Sequence, residues 1–314
     1  MTTSTTTVTQ WIDQHARPLS SLDPSGPLTD LTPLREMVGD ARVVALGAST
    51  RDAHEFFAIE HRVTRFLVED MGFRSIALEG DDAASTALDE YVRTGTGDPR
   101  AIFTQARSFW RFEELLAIVK WARHYNLDHP DDPVRIAHPD PDQHVTAQSG
   151  DLGDIEKMLA DNVIEWQERT GDKIVYWGGT AHTAGAATRT VLLGDQPVTH
   201  RNMGGYLRQH FGPDYVSMAL TFDHGRTTYV FPAPPVDFAE SALSGTNTAY
   251  VLNLHTAAPD GVREWLDIPA KTRLIGPVYD PSHDADHHLS GGSLAEWFDV
   301  IVHQQTVTPA HPIG

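Results

Sequence analysis

Four short apolar runs, each ending on polar residues, constrain the fold of this chain more than any other feature. They read VVALGASTRDAHEFF from Val43, SIALEGDD from Ser75, VRIAHPD from Val134 and KIVYWGGTAH from Lys173. Runs of β-branched and apolar residues predict buried strands, and the polar residues after them predict loops at the strands' carboxyl ends. Ligands of parallel α/β sheets bind at those ends. We therefore expect the four runs to share one rim of an active site.

Between these runs, apolar residues recur at helical spacing, so the sequence predicts alternating strands and helices. The pattern predicts strands at residues 43–46, 76–78, 134–137 and 174–177 and helices at 53–71, 83–91, 112–125 and 152–169. Beyond Gly212 the runs are β-rich and separated by turns, which predicts antiparallel additions. The predicted fold class is α/β, with a mixed, mainly parallel central sheet flanked by helices. We expect one domain over residues 1–314, with a polar leader and a short helix in residues 1–40.

Composition narrows the classes of partner. The formal net charge is −19, which argues against nucleic acid as a partner. The chain has no cysteine, which excludes disulfides and thiolate metal sites. We find neither a transmembrane run of about 18 apolar residues nor the basic and apolar regions of a signal peptide. Arginine greatly outnumbers lysine, as in a GC-rich, for example actinobacterial, genome. The sequence predicts a cytoplasmic protein with a small-molecule substrate, and it does not define the oligomeric state.

Two polar residues after strands are the first candidates for chemistry. Glu79 directly follows the run SIAL, where a carboxylate can act as a general base or an electrostatic anchor. It could instead cap the next helix, but Asp81 and Asp82 are better placed for that. His182 follows two glycines that allow close backbone approach, and its imidazole could serve as acid, base or ligand. Taken alone, the His182 motif does not separate a catalytic from a structural role.

The helix predicted at residues 53–71 carries a carboxylate on its apolar stripe. At about 100° per residue, Glu60 falls with Phe56, Val63 and Leu67. A buried carboxylate is costly unless it is paired. Glu60 is therefore either an edge residue that reaches solvent or a site carboxylate paired with a cation such as Arg51.

Three further positions are weaker candidates. His54 lies on a different face of the same helix, where a solvated surface is the simpler interpretation. His138 and Asp140 follow the third strand and could bind a ligand or form a turn. The tract HDADHH, residues 283–288, resembles a metal-binding segment in composition only.

Together these stretches resemble the erythromycin esterase family, whose α/β core is related to the ChaN-like fold. The resemblance runs from about residue 43 to the end of the chain and is specific in order and spacing. It rests on ALGASTRDAHEFF, HRVTRFLVEDMGF, IALEG, EELLAIVKWARHYN, VRIAHPD, KIVYWGGTAH, GGYLRQHFGPDYVSMALTF, RLIGPVYDP and WFDVIV. The resemblance implies a divergent, shortened member of that family.

The departures from the family pattern concern its base. Members that hydrolyse macrolide lactones typically carry Gly-Glu-x-Ser/Thr-His after the first strand, and this His is considered the base that activates water. Here the segment reads GASTR, so the Glu is replaced by Ala48 and the His by Arg51. A guanidinium stays protonated near neutral pH and cannot act as that base. A family Arg on the next helix corresponds to Glu60 here. The resemblance therefore implies that a pair of opposite charges is kept, formed by Arg51 and Glu60, but at altered positions.

Other family positions are retained. Glu79 matches the Glu at the end of the second strand, His182 matches the second His of the His-Asn-x-His segment, and Asp140 matches the Asp after the third strand. The first His of that segment is Gly179 here and the Asn is Thr180. The long helical insertion of the macrolide esterases is reduced to about one helix in residues 141–172, which argues against a large macrolactone as substrate.

These residues predict an enzyme that has lost standard lactone hydrolysis. We expect non-hydrolytic acid–base chemistry, such as elimination, cyclisation or isomerisation, on a small natural-product intermediate of secondary metabolism, with no cofactor. The predicted catalytic residues are Glu79, His182 and His54, and the predicted substrate-binding residues are Arg51, Glu60, Asp140 and His138. Arg51 would anchor a carboxylate, phosphate or developing oxyanion.

Three alternatives stay open at the level of sequence. The chain could be a hydrolase of small esters, lactones or amides, with His182 or His54 replacing the missing base. It could be a non-catalytic small-molecule binding or self-resistance protein. A metal-dependent enzyme is also conceivable, with His54, Glu79 and His182 as ligands, but nothing in their spacing is diagnostic of a metal site.

Overall fold

The computed structural model describes residues 5–80, 82–140, 151–193, 196–245, 247–276 and 279–314. The strands in this part of the chain are β1 (Arg17–Pro18), β2 (Val43–Ala48), β3 (Phe73–Leu78), β4 (Arg135–Ala137), β5 (Lys173–Gly179), β6 (Arg189–Leu193), β7 (Gln196–His200), β8 (Tyr215–Arg226), β9 (Val230–Phe231), β10 (Ala249–Asn253), β11 (Thr272–Arg273), β12 (His288–Leu289) and β13 (Val300–Val307).

The helices are α1 (Thr5–His15), α2 (Leu34–Val38), α3 (His54–Met71), α4 (Asp82–Thr94), α5 (Pro99–Gln105), α6 (Glu113–Asp128), α7 (Leu152–Thr170), α8 (Thr180–Thr183), α9 (Met203–Phe211), α10 (Glu240–Leu243), α11 (Asp260–Asp267) and α12 (Leu294–Trp297). Short 3₁₀ turns span Thr29–Leu31, Ser108–Trp110, Gly212–Asp214 and Pro281–Asp286. None of the described helices combines the length and apolar character that a membrane crossing requires.

A central mixed sheet has the strand order β1-β10-β13-β8-β2-β5-β3-β4, and β9 pairs with β8 beside this path. The six strands from β13 to β4 run parallel to their neighbours. The other three strands of this sheet, β1, β9 and β10, pair antiparallel with their neighbours. The predicted mixed, mainly parallel sheet is confirmed.

The connections diverge between β3 and β5, which are neighbours in the sheet. From β3 the chain continues to β4 on one side, and from β5 it continues to β8 on the other side. A crevice forms beyond the carboxyl ends of parallel strands where such connections separate. Glu79 follows β3 and His182 follows β5, so the topology places both residues at this crevice.

Side chains of the central strands alternate between two apolar layers. Val44 and Leu46 of β2 pack in the layer that contains α3 and α6, whereas Val43 and Ala45 pack in the layer that contains α7 and α9. In β5, Trp177 belongs to the first layer and Tyr176 to the second. Strands buried on both faces read as continuous apolar runs, which is why the sequence identified them.

The sequence missed or shortened several elements. The hairpin of β6 and β7 was not predicted, and the β-rich run RTTYVFPAP supplies only β9, which ends before Pro232 because proline cannot donate to a ladder. The reduced insertion contains the single helix α7, while residues 141–150 lie outside the described ranges.

Candidate active site

Glu79 is the centre of a buried charge cluster. Its Oε2 accepts a hydrogen bond from the backbone N–H of Gly179 at 2.8 Å. Its Oε1 accepts one from Nη2 of Arg51 at 2.5 Å. A Cβ on Gly178 would lie 2.7 Å from Glu79 Oε2, so only glycine lets β5 pass this close to the carboxylate. Burial raises the pKa of Glu79, but the charges of Arg51 and His182, together with the hydrogen bonds from Arg51 and the Gly179 N–H, outweigh it and hold the pKa below its ordinary value.

Arg51 lies in the loop between β2 and α3, and aromatic rings hold its guanidinium against Glu79. Its central carbon is 4.8 Å from the ring centroid of Phe109 and 5.4 Å from that of Trp110, both within the range of cation–π attraction. A Cβ on Gly179 would come within 2.8 Å of Nη2. Nη1 is buried without a hydrogen-bond partner among the described residues. The site therefore holds a fixed cation with an unused donor.

His182 lies between two carboxylates. Its Nε2 is 3.4 Å from Glu79 Oε1 and its Nδ1 is 2.8 Å from Glu156 Oε1. Burial lowers the pKa of His182, but the negative charges on both sides outweigh burial and raise the pKa above its ordinary value. The imidazole therefore favours its protonated form, in which both nitrogens donate.

Glu156 on α7 is a site residue that the sequence analysis missed. Its side chain is fully buried and accepts hydrogen bonds from Arg189 at 2.6 Å and from the N–H of Met203 at 2.8 Å, in addition to His182. Burial raises its pKa, but the charge and hydrogen bond of His182 and the charge of Arg189 outweigh burial and hold the pKa well below its ordinary value. Glu156 shares a helical stripe with Leu159, a signal of the kind that drew attention to Glu60.

Glu60 is buried in the apolar layer and does not reach solvent as an edge residue would. Burial raises its pKa well above the ordinary value, and the charge of Arg51 offsets this only in part. No hydrogen bond joins Glu60 to Arg51 in the described part of the chain. The charge of Arg51 acts on both Glu79 and Glu60, but their pKa values shift in opposite directions. Glu79 therefore favours the ionised form and Glu60 the protonated form.

Tyr176 is a second residue that the sequence did not indicate. Its hydroxyl is buried and has no hydrogen-bond partner among the described residues. A Cβ on Gly178 would lie 2.6 Å from the Tyr176 ring and 2.7 Å from Glu79 Oε2, so the ring and the carboxylate flank the same glycine. Burial raises the pKa of Tyr176 well above its ordinary value, and the charge of Glu79 adds to this.

The remaining predicted residues lie around this cluster or apart from it. A small cavity of about 30 Å³ opens at the strand ends, with Gly80, His138 and Tyr176 in its wall. His138 faces Asp89, whose hydrogen bond raises the pKa of the imidazole, and Asp140 is the last described residue before position 151. His54 instead hydrogen-bonds Glu114 at 2.8 Å. The structure thus assembles Arg51, Glu79 and His182 but does not bring His54 to them.

Comparison with known proteins agrees with this architecture. The sequence profile of the erythromycin esterase family matches residues 68–149 and 142–307. Erythromycin esterase type II of Escherichia coli is 33% identical over 117 residues, and the protein YbfO of Bacillus subtilis, whose name assigns it to the hydrolases, is 35% identical over 114 residues. These matches cover 37% and 36% of this chain but only 28% and 25% of the two relatives.

Solved structures show the same fold at low sequence identity. A Bacillus cereus protein is 18% identical with a TM-score of 0.81, covering 98% of this chain and 99% of its own. A succinoglycan biosynthesis protein is 20% identical with a TM-score of 0.81, covering 98% of both chains. A mutant of the erythromycin esterase EreC in its open conformation is 14% identical with a TM-score of 0.68, covering 93% of this chain and 98% of its own. Because the family profile covers most of its length, the chain belongs to the erythromycin esterase family.

Proposed function

We propose that the chain is an enzyme that performs non-hydrolytic acid–base chemistry on a small molecule, of the elimination, cyclisation or isomerisation type. The observation that carries this proposal is the position of His182, 3.4 Å from Glu79 and 2.8 Å from Glu156. An imidazole between two carboxylates is held in its acidic form. It is suited to donate a proton and unsuited to take one from water.

The other ionisable groups support the same conclusion. Arg51 can donate hydrogen bonds but cannot accept a proton, because a guanidinium has no free acceptor. Both oxygens of Glu79 already accept hydrogen bonds, and its lowered pKa makes it a weak base. Glu60 favours its protonated form because it is buried. These four side chains therefore offer a substrate proton donors, a fixed cation and a carboxylate of low basicity.

One proton cycle fits this arrangement. Arg51 would hold an anionic or carbonyl oxygen of the substrate, and His182 would give its proton to a leaving or ring-closing oxygen. The imidazole, now neutral, would then take a proton from a neighbouring atom of the substrate and return to its starting state. No proton and no water is consumed, so the product is an isomer of the substrate or the substrate less one molecule of water or alcohol.

Small-molecule extracts incubated with the purified protein provide the test. We expect untargeted mass spectrometry to detect a compound that wild type consumes with no mass change or with loss of water or alcohol, and without oxygen from ¹⁸O-labelled water. His182→Ala should slow this turnover by about 10²–10⁴-fold, the usual worth of a general acid. A product that gains labelled water would contradict the proposal.

The second candidate is hydrolysis of a small ester or lactone, which membership of the erythromycin esterase family favours. In that case Glu79, freed from Arg51 when substrate binds, would activate water. Robust cleavage of p-nitrophenyl esters or simple lactones that is lost in Arg51→Ala and Glu79→Gln would establish hydrolysis instead. Ligand-induced thermal stabilisation with no turnover of any compound would instead indicate a binding protein.

A further inference from the structure

We infer that His54, Glu114 and His311 form a binding site for a divalent transition-metal ion of the Zn²⁺ class, separate from the cluster around Glu79. His54 is the first residue of α3, Glu114 lies in the first turn of α6, and His311 follows β13. Three segments that are distant in sequence therefore bring two imidazoles and one carboxylate together.

The distances fit such an ion. The Nδ1 atoms of His54 and His311 lie 2.8 and 2.7 Å from Glu114 Oε1, and one ligand atom from each residue falls within 4.8 Å of the others. Zinc bonds of about 2.0–2.2 Å in a tetrahedral arrangement place ligand atoms about 3.3 Å apart. An ion would therefore need the carboxylate to move back by about 0.5 Å and the two imidazole nitrogens to approach to about 3.3 Å from at most 4.8 Å.

The orientation of the two rings fits as well. The imidazole centroids of His54 and His311 are 5.3 Å apart with an interplanar angle of 84°. Two imidazoles bound through Nδ1 to one tetrahedral zinc place their centroids about 5 Å apart. The rings thus already have nearly the separation that a shared ion requires.

The donor chemistry selects the kind of ion. Two imidazole nitrogens and one carboxylate oxygen suit Zn²⁺, Co²⁺ or Ni²⁺ better than Mg²⁺ or Ca²⁺, which prefer oxygen ligands. The Glu114 side chain is 11% exposed, whereas that of His311 is 68% exposed, so the carboxylate is anchored and the opposite side is open to an entering ion and a water ligand. The neighbouring Glu113 is engaged by Arg100 at 2.6 Å and does not compete for the ion.

The ion would fix the loop that carries Arg51. The N–H of His54 donates to the carbonyl of Thr308 at 2.9 Å, and the N–H of Ala310 donates to the carbonyl of Asp52 at 2.9 Å. Residues 308–311 therefore run alongside the start of α3, immediately after Arg51. A metal bridge between His54 and His311 would hold these two segments together.

Metal titration of the full chain, purified without a histidine tag and stripped with chelator, tests the site. We expect one equivalent of Zn²⁺ by calorimetry and elemental analysis, a tetrahedral Co²⁺ absorption spectrum, and a rise in melting temperature with Zn²⁺. His311→Ala should weaken Zn²⁺ binding by more than roughly tenfold, since even outer-shell groups of a metal site contribute 10–100-fold. This exposed residue can be replaced with little effect on folding, and Glu114→Gln, which keeps the shape, provides a second variant.

The matched control is His283→Ala. His283 is also exposed and also pairs with a carboxylate, Asp280, at 2.8 Å, but it lies in the HDADHH tract. Binding should be unchanged in His283→Ala. The inference is overturned if stoichiometric Zn²⁺ binding is absent, or if it survives undiminished in His311→Ala, and loss of binding in His283→Ala would assign the ion to the HDADHH tract instead. These readouts do not involve turnover, so they are independent of the proposed function.

Discussion

At the scale of single residues, the protonation of His182 depends on a carboxylate that contacts its imidazole from the side opposite Glu79. Glu156 faces His182 from α7 at 2.8 Å and is itself fully buried. It also neutralises Arg189, whose pKa burial lowers. One residue therefore controls both the proton on His182 and the compensation of a buried cation.

Replacing Glu156 by Gln should lower the pKa of His182, because one of the two negative charges that raise it is removed. The free energy of unfolding should fall by about 3–5 kcal/mol, because Arg189 would stay buried without its partner. NMR titration of the His182 imidazole and urea unfolding measure the two effects. Glu168→Gln is the control, since Glu168 lies on the same helix but is 63% exposed; an equal effect in both variants would disprove this role.

Replacing Arg51 by Gln should raise the pKa of Glu79, because the guanidinium supplies the largest opposing charge to its burial. Carboxyl NMR of protein labelled at glutamate follows this titration directly. Arg35→Gln removes a cation from an exposed pair with Asp70 and should leave Glu79 unchanged. A Glu79 pKa that does not move in Arg51→Gln would show that the two side chains are not paired in solution.

The sequence predicted part of this cluster and missed the rest for a physical reason. Arg51, Glu79 and His182 each follow a strand, and the carboxyl ends of parallel strands converge. Glu156 lies in the middle of a helix, where its position depends on how α7 packs on the sheet, and sequence does not define that packing. His54 is predicted as a residue that could replace the missing base, but in the structure it lies at the start of α3 and its side chain hydrogen-bonds Glu114 instead.

At the scale of elements, the single helical turn α8, which carries His182, and the loop after it are held by close contact with α9. The side-chain amide of Asn202, which caps α9, donates to the carbonyls of Ala181, His182 and Ala184 at 3.0, 3.0 and 2.8 Å. Gly204 allows the helix to lie against the same loop, since a Cβ there would clash with the carbonyl oxygens of Thr183 and Ala184. The position of His182 therefore depends on a helix that follows it by some twenty residues.

Gly204→Ala should destabilise the protein by about 1–3 kcal/mol, the usual cost of overpacking, by pushing α9 away from this loop. Gly276→Ala is the matched control, because a Cβ at that position meets no atom within 4 Å. Urea unfolding of both variants decides the matter. Equal stability of the two variants would mean that the α9 contact is not tight in solution.

The strand ends illustrate what sequence patterns leave out. The sequence predicts the fourth strand at residues 174–177, which stops short of the two glycines that follow, and glycine is depleted in strands. In the structure β5 continues through Gly178 and Gly179, which pair with Gly47 and Ala48 of β2. Pairing with β2, rather than the strand propensity of the two glycines, therefore extends β5 to the site.

At the scale of the whole molecule, two buried histidines link stability to pH. Burial lowers the pKa of His61 to about 4 and that of His303 to about 4. Because the unfolded chain binds protons at these positions near pH 6.5 and the folded chain does not, stability falls as pH decreases through that range. His182 acts in the opposite direction, since its raised pKa stabilises the folded state more as pH falls.

The contribution of His303 to the pH dependence of stability can be measured by comparing a His303 variant with wild type. Between pH 7.5 and 5.5 each of the two buried histidines should lower the free energy of unfolding by about 1 kcal/mol. His303→Gln should therefore lose about 1 kcal/mol less than wild type over this interval, whatever its stability at pH 7.5. Parallel slopes in wild type and His303→Gln would show that His303 takes up its proton in the folded state as readily as in the unfolded chain.

Trp110 gives this molecule an optical reporter. Its indole N–H donates to the carbonyl of Glu79 at 3.1 Å, and its ring lies 5.4 Å from the guanidinium carbon of Arg51. Anything that binds to Arg51 changes the electric field on that chromophore, so fluorescence emission should shift on binding, and Trp110→Phe should abolish the shift. Ligands could then be screened by tryptophan fluorescence, without an assay for a reaction product.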